Sequence, residues 1–266
     1  MQQRADTAEI RAPGALRLAL ELRALWELGA SLAALPILRM APTGDGHPVL
    51  IFPGLAASDI STGPLRRYLK DRNYAPHRWQ QGRNFGPGRG VLEECGHLVR
   101  RLRERHGRKV SLIGWSLGGI YARETAKQLP DDVRCVITLG TPFAGHPRAT
   151  NAWRLYELLS GERVDERRNW DGLKEAPPVP TTSIYSRTDG VVAWQCSVQQ
   201  ESARAESIEV EASHIGLGVN PAVLYAIADR LAQPDGDWKP FDRSGLKALI
   251  YKDPAAADWF PASCLV

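Results

Sequence analysis

The sequence predicts an α/β fold in which a mostly parallel sheet is covered by helices on both faces. Three observations carry that prediction. Short apolar runs rich in β-branched residues alternate with segments whose apolar residues recur at helical spacing, the pattern of right-handed βαβ units. The run Val110-Ser111-Leu112-Ile113 leads into Gly114-Trp115-Ser116-Leu117-Gly118-Gly119 and then a helix-like segment to Gln128, a strand–turn–helix arrangement. Finally, Ser116, Asp189 and His214 each follow the end of a predicted strand, on the edge where such sheets keep their chemistry.

Each element can be justified in turn. Residues 1–12 are polar and read as a disordered tail. Ala15 to about Leu35 reads as one helix ended by Pro36, with Leu18, Leu22, Leu25, Gly29 and Leu32 on one face and Arg17, Glu21, Arg23 and Glu27 off it. Two readings stand for residues 14–38: a helix packed against the main domain, or an interfacial helix or lid making peripheral contact with a membrane. After a turn at Thr43-Gly44-Asp45-Gly46, Val49 to Phe52 is a buried strand leading into Pro53-Gly54-Leu55. Ser61, Thr62 and Pro64 open a helix to about Asp71. Ala75 to Trp79 is a second strand, followed by the glycine-rich loop Gln81 to Gly88. Val91, Leu92, Cys95, Leu98, Val99 and Leu102 fall at helical spacing, giving a helix to about His106. Past Pro130, the strand Val133 to Leu139 closes with Gly140-Thr141-Pro142-Phe143. Residues 144–178 read as a cap-like insertion over one end of the sheet, with a helix from Asn151 to Leu159. Thr181 to Ser186 and Ser207 to Glu211 complete the strands. Asn220 and Pro221 cap a last amphipathic helix, and the tail from Gln233 packs along the surface. The expected division is tail and helix over 1–40, main domain over 41–235, and a C-terminal extension over 236–266.

Composition narrows the function classes. With 43% hydrophobic and 24% charged residues, the 266-residue chain has ordinary globular composition, and its net charge of +4 is spread among interspersed signs. The densest basic run, Arg100 to Lys109, contains Glu104 and lies on a predicted helix, so it reads as a solvated face, with no nucleic-acid partner expected. Cys95, Cys135, Cys196 and Cys264 are far apart and lack C-x-x-C spacing, which argues against a disulfide framework or a metal site. No metal or cofactor is expected. The apolar region 14–38 is broken by four charges, and its longest uncharged run, Leu28 to Leu38, is too short for a membrane span. The same acidic residues spoil it as a signal-peptide core. A cytoplasmic location is expected, with membrane association left open by residues 14–38.

The residue types point to nucleophilic catalysis. A serine in a tight strand-to-helix turn is exposed and strained, and the helix that follows offers unpaired N–H groups where an oxyanion would form. Serine needs a general base. His47 sits in a turn, His97 and His106 on or at the end of a helix, His77 in the second strand and His146 in the insertion. His214, in a post-strand loop late in the chain, is the candidate base. A buried acceptor must fix its tautomer. Asp189 ends the strand before it, and Asp165 and Asp171 are competitors within the insertion. Leu117 and Leu55 N–H groups are the expected oxyanion donors, with Ala56 the alternative to Leu55. On the same edge, Arg83 is a candidate to meet an anionic substrate group and Asn84 to brace the oxyanion loop, with a structural turn carrying a solvated arginine as the alternative reading. Trp115, Phe143, Trp153 and Trp194 are candidates for an acyl pocket or for core packing.

Phe52-Pro53-Gly54-Leu55, the Gly114-to-Gly119 turn, Gly140-Thr141-Pro142, Asp189-Gly190-Val191-Val192 and Ser213-His214-Ile215-Gly216-Leu217 together resemble the α/β-hydrolase superfamily. The likeness spans residues 47–232 and is greatest to bacterial esterases and lipases of the triacylglycerol-lipase type and to relatives that deacylate lipid anchors. Pro53 stands where many lipases carry a histidine. The resemblance implies an α/β-hydrolase fold and cleavage of a small-molecule or lipid ester through an acyl-enzyme, with Ser116, Asp189 and His214 at the matching triad positions. Acyl transfer or thioester cleavage on the same triad, and a non-catalytic scaffold used for binding, are the competing expectations.

Overall fold

A computed structural model describes residues 10–88, 90–161 and 171–252. The start of the tail, Asp165 and Cys264 therefore lie outside the described residues, and of Asp171 only the backbone is described. Six strands, β1 Pro48–Phe52, β2 Ala75–Arg78, β3 Val110–Trp115, β4 Val133–Leu139, β5 Thr181–Tyr185 and β6 Ala205–Glu209, form one sheet. Their order is β2-β1-β3-β4-β5-β6, and every neighbouring pair is parallel. Parallel pairing requires crossovers, and the helices supply most of them. α4 Gly63–Asp71 joins β1 to β2, α5 Val91–His106 joins β2 to β3, and α6 Leu117–Gln128 joins β3 to β4.

The period-2 geometry of a strand divides the core in two. Val49 and Ile51 of β1 and Ile113 of β3 face Leu65 and Leu69 of α4 and Val223, Leu224 and Ile227 of α8 Pro221–Leu231. Leu50, Phe52 and Leu112 point the other way, onto Cys95, Leu98 and Val99 of α5 and Ala122 and Ala126 of α6. Asn220 caps α8 through its side chain, which accepts the Ala222 N–H at 2.9 Å. The tail after α8 buries Phe241 and Tyr251 against the first of these layers.

Three elements differ from those the sequence predicts by more than a single residue. β6 starts two residues earlier, at Ala205, where pairing with Thr181 of β5 sets the register. α7, Trp153–Ser160, starts two residues later than Asn151, whose side chain is bonded to Pro13 and Gly190 carbonyls. The expected continuous helix from Ala15 is instead α1 Ala15–Ala19, a tight 3-10 turn Leu20–Arg23, α2 Ala24–Ala33 and α3 Leu35–Leu38. Pro36 falls in the first turn of α3, where a missing N–H costs nothing, so it opens a turn there.

The larger surprise is the face by which this segment docks. Its leucine stripe is turned to solvent, while Glu21, Glu27 and Ser31 are the buried side chains. No helix among the described residues is long and apolar enough to cross a membrane.

Candidate active site

The polar groups at the carboxyl edge of the sheet are placed by strand ends. β3 ends at Trp115, and Ser116 turns the chain with φ 53° and ψ −124°, a conformation L-residues rarely adopt. A β-carbon on Gly114 would sit 2.5 Å from the Gly119 nitrogen, so strand and helix can meet here only without one. The Ser116 N–H is tied to the Leu139 carbonyl at 2.8 Å, which anchors the strained turn to the end of β4.

Asp189 and His214 follow β5 and β6. His214 Nδ1 and Asp189 Oδ2 lie 2.6 Å apart, and both side chains are buried. The other carboxylate oxygen, Oδ1, accepts the N–H groups of Val191 at 2.8 Å and Val192 at 2.7 Å, so the acid is fully engaged. Burial disfavours a charged His214 imidazole, yet the neighbouring Asp189 carboxylate, its hydrogen bond and the charge of Glu21 together raise the His214 pKa. The pair lies directly over Gly140, which has φ +54°. A β-carbon at Gly140 would come within 3.0 Å of His214 Nδ1 and 3.1 Å of Asp189 Oδ2.

A cleft opens at Ser116. Its walls are mostly apolar: Leu55, Leu117, Ile120, Pro142, Trp153, Tyr156 and Val192. Leu117 opens α6, so its N–H has no acceptor within the helix. Leu55 lies on the loop after β1 and reaches the same cleft. The alternative donor, Ala56, is excluded, because its N–H is bonded to the Asn84 carbonyl at 2.7 Å.

The remaining sequence-nominated residues fall elsewhere. Asn84 is fully buried and its amide is engaged by the fold: Nδ2 donates to the Pro53 carbonyl at 2.9 Å, while Oδ1 accepts from the Gly86 N–H and the Tyr121 hydroxyl. It braces the loop after β1 and, being fully buried, is not presented to a substrate. Arg83 is exposed and does not line the cleft. Phe143 is buried beneath the Arg123 guanidinium, 3.9 Å from its ring, outside the cleft. Trp115 donates its Nε1–H to the His214 carbonyl at 3.0 Å and so steadies the histidine loop. Trp194 stacks on Tyr185. Of the four aromatics, Trp153 alone reaches the cleft, joined by Tyr156.

Sequence reasoning missed the groups that hold the two loops. Glu21 Oε1 accepts the N–H of Gly190 at 2.7 Å and of His214 at 3.0 Å, and Oε2 accepts the N–H of Ile215 at 2.9 Å. One carboxylate thus bridges the aspartate loop and the histidine loop. Glu27 accepts the Ser213 N–H at 2.7 Å and an Asn220 amide N–H at 3.2 Å. Arg23 donates to the Thr188 carbonyl at 3.0 Å. Glutamates six residues apart, on the face opposite the leucines, are an available signal, but that spacing is also what a solvated helix face shows.

A second Asp–His–Ser array lies at the opposite edge of the sheet. His47 Nδ1 is 2.6 Å from Asp45 Oδ1, and Ser111 Oγ is 2.8 Å from His47 Nε2. Ser111 is the second residue of β3, in regular strand, and both it and His47 are inaccessible to solvent. Burial holds the His47 pKa down to about 4 against the opposing pull of Asp45, so the ring is neutral at pH 7. With both side chains shut off from solvent and Ser111 held in regular strand, this array ties the start of β1 to β3 and is not presented to a substrate.

The family model described as alpha/beta hydrolase family matches residues 20–264. No curated protein matches the chain in sequence. Among solved structures, it is similar to a lipase B of Aspergillus fumigatus at 20% identity and a TM-score of 0.55, over 72% of this chain and 54% of that one. This chain therefore spans about half the length of that relative. It is also similar to a monoacylglycerol lipase of Paleococcus ferrophilus at 15% identity and a TM-score of 0.52, over 71% of this chain and 96% of that one. An alpha/beta superfamily hydrolase of Oenococcus oeni PSU-1 gives 18% identity and a TM-score of 0.51, over 69% and 91% of the two chains.

Proposed function

The chain belongs to the alpha/beta hydrolase family, and from that premise we propose that it cleaves carboxylic esters with a hydrophobic acyl portion through an acyl-enzyme on Ser116. The observation that carries the reading is the strained Ser116 at the mouth of an apolar cleft, with a bonded, buried His214–Asp189 pair held on the same sheet edge.

In this reading Ser116 Oγ attacks the ester carbonyl as its proton passes to His214 Nε2. Asp189, bonded at Nδ1, holds the tautomer whose Nε2 lone pair is free and stabilises the imidazolium that forms. The N–H groups of Leu117 and Leu55 face the developing oxyanion. Collapse breaks the C–O bond, and the leaving alcohol takes the proton from His214. Water then repeats the sequence on the acyl-enzyme, releasing the carboxylic acid and restoring Ser116. The preference for a hydrophobic acyl group rests on Ile120, Trp153, Tyr156 and Val192, which offer the cleft little to hydrogen-bond.

A fluorophosphonate probe tests the chemistry. The expected result is one label per chain, lost in S116A, with p-nitrophenyl esters of medium acyl length turned over faster than the acetate. An intact protein that takes no label would overturn the proposal, and a rate that peaks at acetate would overturn the acyl preference.

A further inference from the structure

The segment from Ala15 to Ile37 is packed the reverse of an ordinary surface helix. Its buried side chains, Glu21, Glu27 and Ser31, are all polar, and each is consumed by the backbone or side chain of the 186–220 region. Its apolar side chains are on the outside. Among the described residues, eleven of the nineteen exposed large apolar side chains lie between Leu16 and Met40, including Leu22, Leu25 and Trp26, each more than three-quarters exposed. A patch of that size on a free surface is unfavourable unless something covers it.

Charge identifies the cover. The segment's two acids are turned inward, whereas Arg11, Arg17 and Arg39 are exposed along it. An apolar face whose own exposed charges are all arginines matches the layering of an anionic bilayer, phosphates outside and acyl chains beneath. A second copy of the chain is a poor match, since an isologous contact would bring the same arginine fringe against itself. We propose that residues 16–40 dock on an anionic lipid surface.

The position of the segment gives that docking a consequence. Pro13 is bonded to Asn151, which neighbours the cleft residues Thr150 and Ala152, and Glu21 is bonded to both the aspartate and histidine loops. The segment therefore packs beside the loops that border the cleft, which gives a hydrophobic ester a short path from the bilayer to Ser116. The delivery step rests on the ester-hydrolase reading above, but the binding step does not.

Vesicle sedimentation of the whole chain tests the binding. Wild type should sediment with phosphatidylcholine vesicles holding about a third phosphatidylglycerol, and roughly tenfold more weakly with phosphatidylcholine alone. L22S/L25S/W26S should lose binding by roughly tenfold or more, and R17E/R39E by roughly twentyfold. Both variants should keep the wild-type melting temperature and the wild-type rate on a dissolved short-chain ester. Four results would overturn the proposal: wild type that stays in the supernatant, serine variants that sediment as wild type does, a dimer by light scattering that the serine substitutions dissociate, or vesicle binding that appears only when residues 253–266 are deleted. Because sedimentation reads binding and not turnover, an inactive protein that still sediments would refute only the ester-hydrolase reading.

Discussion

Glu21 offers the sharpest test of how the N-terminal segment acts on the site. In E21A the N–H groups of Gly190, His214 and Ile215 lose their acceptor together. The first two bonds are buried, and a buried donor left unpaired costs about 1–3 kcal/mol, so these two contribute about 2–6 kcal/mol. Ile215 is half exposed, and water can replace its bond at little cost. Set against a typical domain stability of about 5–15 kcal/mol, the loss is large enough to read in a urea titration. E21Q separates shape from charge. Its carbonyl can serve Gly190 and His214 as Oε1 does now, but its amide would face the Ile215 N–H, donor to donor, so about 1 kcal/mol is expected. Both variants remove a negative charge that helps raise the His214 pKa, so the acid limb of kcat/KM should move to lower pH in each. The assay is urea unfolding beside a pH profile on a dissolved p-nitrophenyl ester. If E21A unfolds within about 0.5 kcal/mol of wild type, or the acid limb stays put in both variants, the bridging role assigned to this carboxylate is wrong.

Three further outcomes follow from the geometry. Only the neutral imidazole can take the serine proton, so kcat/KM should rise with pH along an acid limb lying above 6.5; D189N should shift that limb down and lower kcat by roughly four orders of magnitude, checked by the pH–rate profile. G140A adds a β-carbon 2.7 Å from Leu217 Cδ1 and 3.0 Å from His214 Nδ1 at a positive φ, so kcat should fall by roughly a hundredfold while fluorophosphonate labelling slows in parallel. S111A should label and turn over as wild type does but lose about 1–3 kcal/mol in urea, because His47 Nε2 is left without a partner; a loss of labelling instead would move the chemistry to the other edge of the sheet.

Much of this protein is local, and so it was legible in the chain. The strands β1, β3 and β4 are short apolar runs whose alternate residues feed two helical layers, and period-2 and period-3.6 patterns report that directly. Ser116 is marked by its glycine-flanked strand-to-helix turn, and it, Asp189 and His214 each follow a strand; a parallel sheet brings all such positions to one edge whatever the distance between them in sequence. The N-cap at Asn220 and the elbow glycines likewise depend on a few neighbouring residues.

What the sequence could not decide is which face of an amphipathic segment meets the domain. The Leu18–Leu32 stripe predicts burial by the hydrophobic effect, but the domain presents to it a cluster of unpaired N–H groups at Gly190, Ser213, His214 and Ile215. Glu21 and Glu27 satisfy those donors, and the contacts they make put the glutamates inward and leave the leucines outward. The same limit explains the positions of Asn84, Phe143 and Trp115, which bond or pack to the loop after β1, to α6 and to the histidine loop, neighbours that only the fold brings beside them. Periodicity records that a residue is apolar or charged. Whether a buried partner awaits it is settled by donors and acceptors that can lie far along the chain, 31 residues away for Asn84 and Pro53 and 169 for Glu21 and Gly190, and that come together only in the tertiary structure.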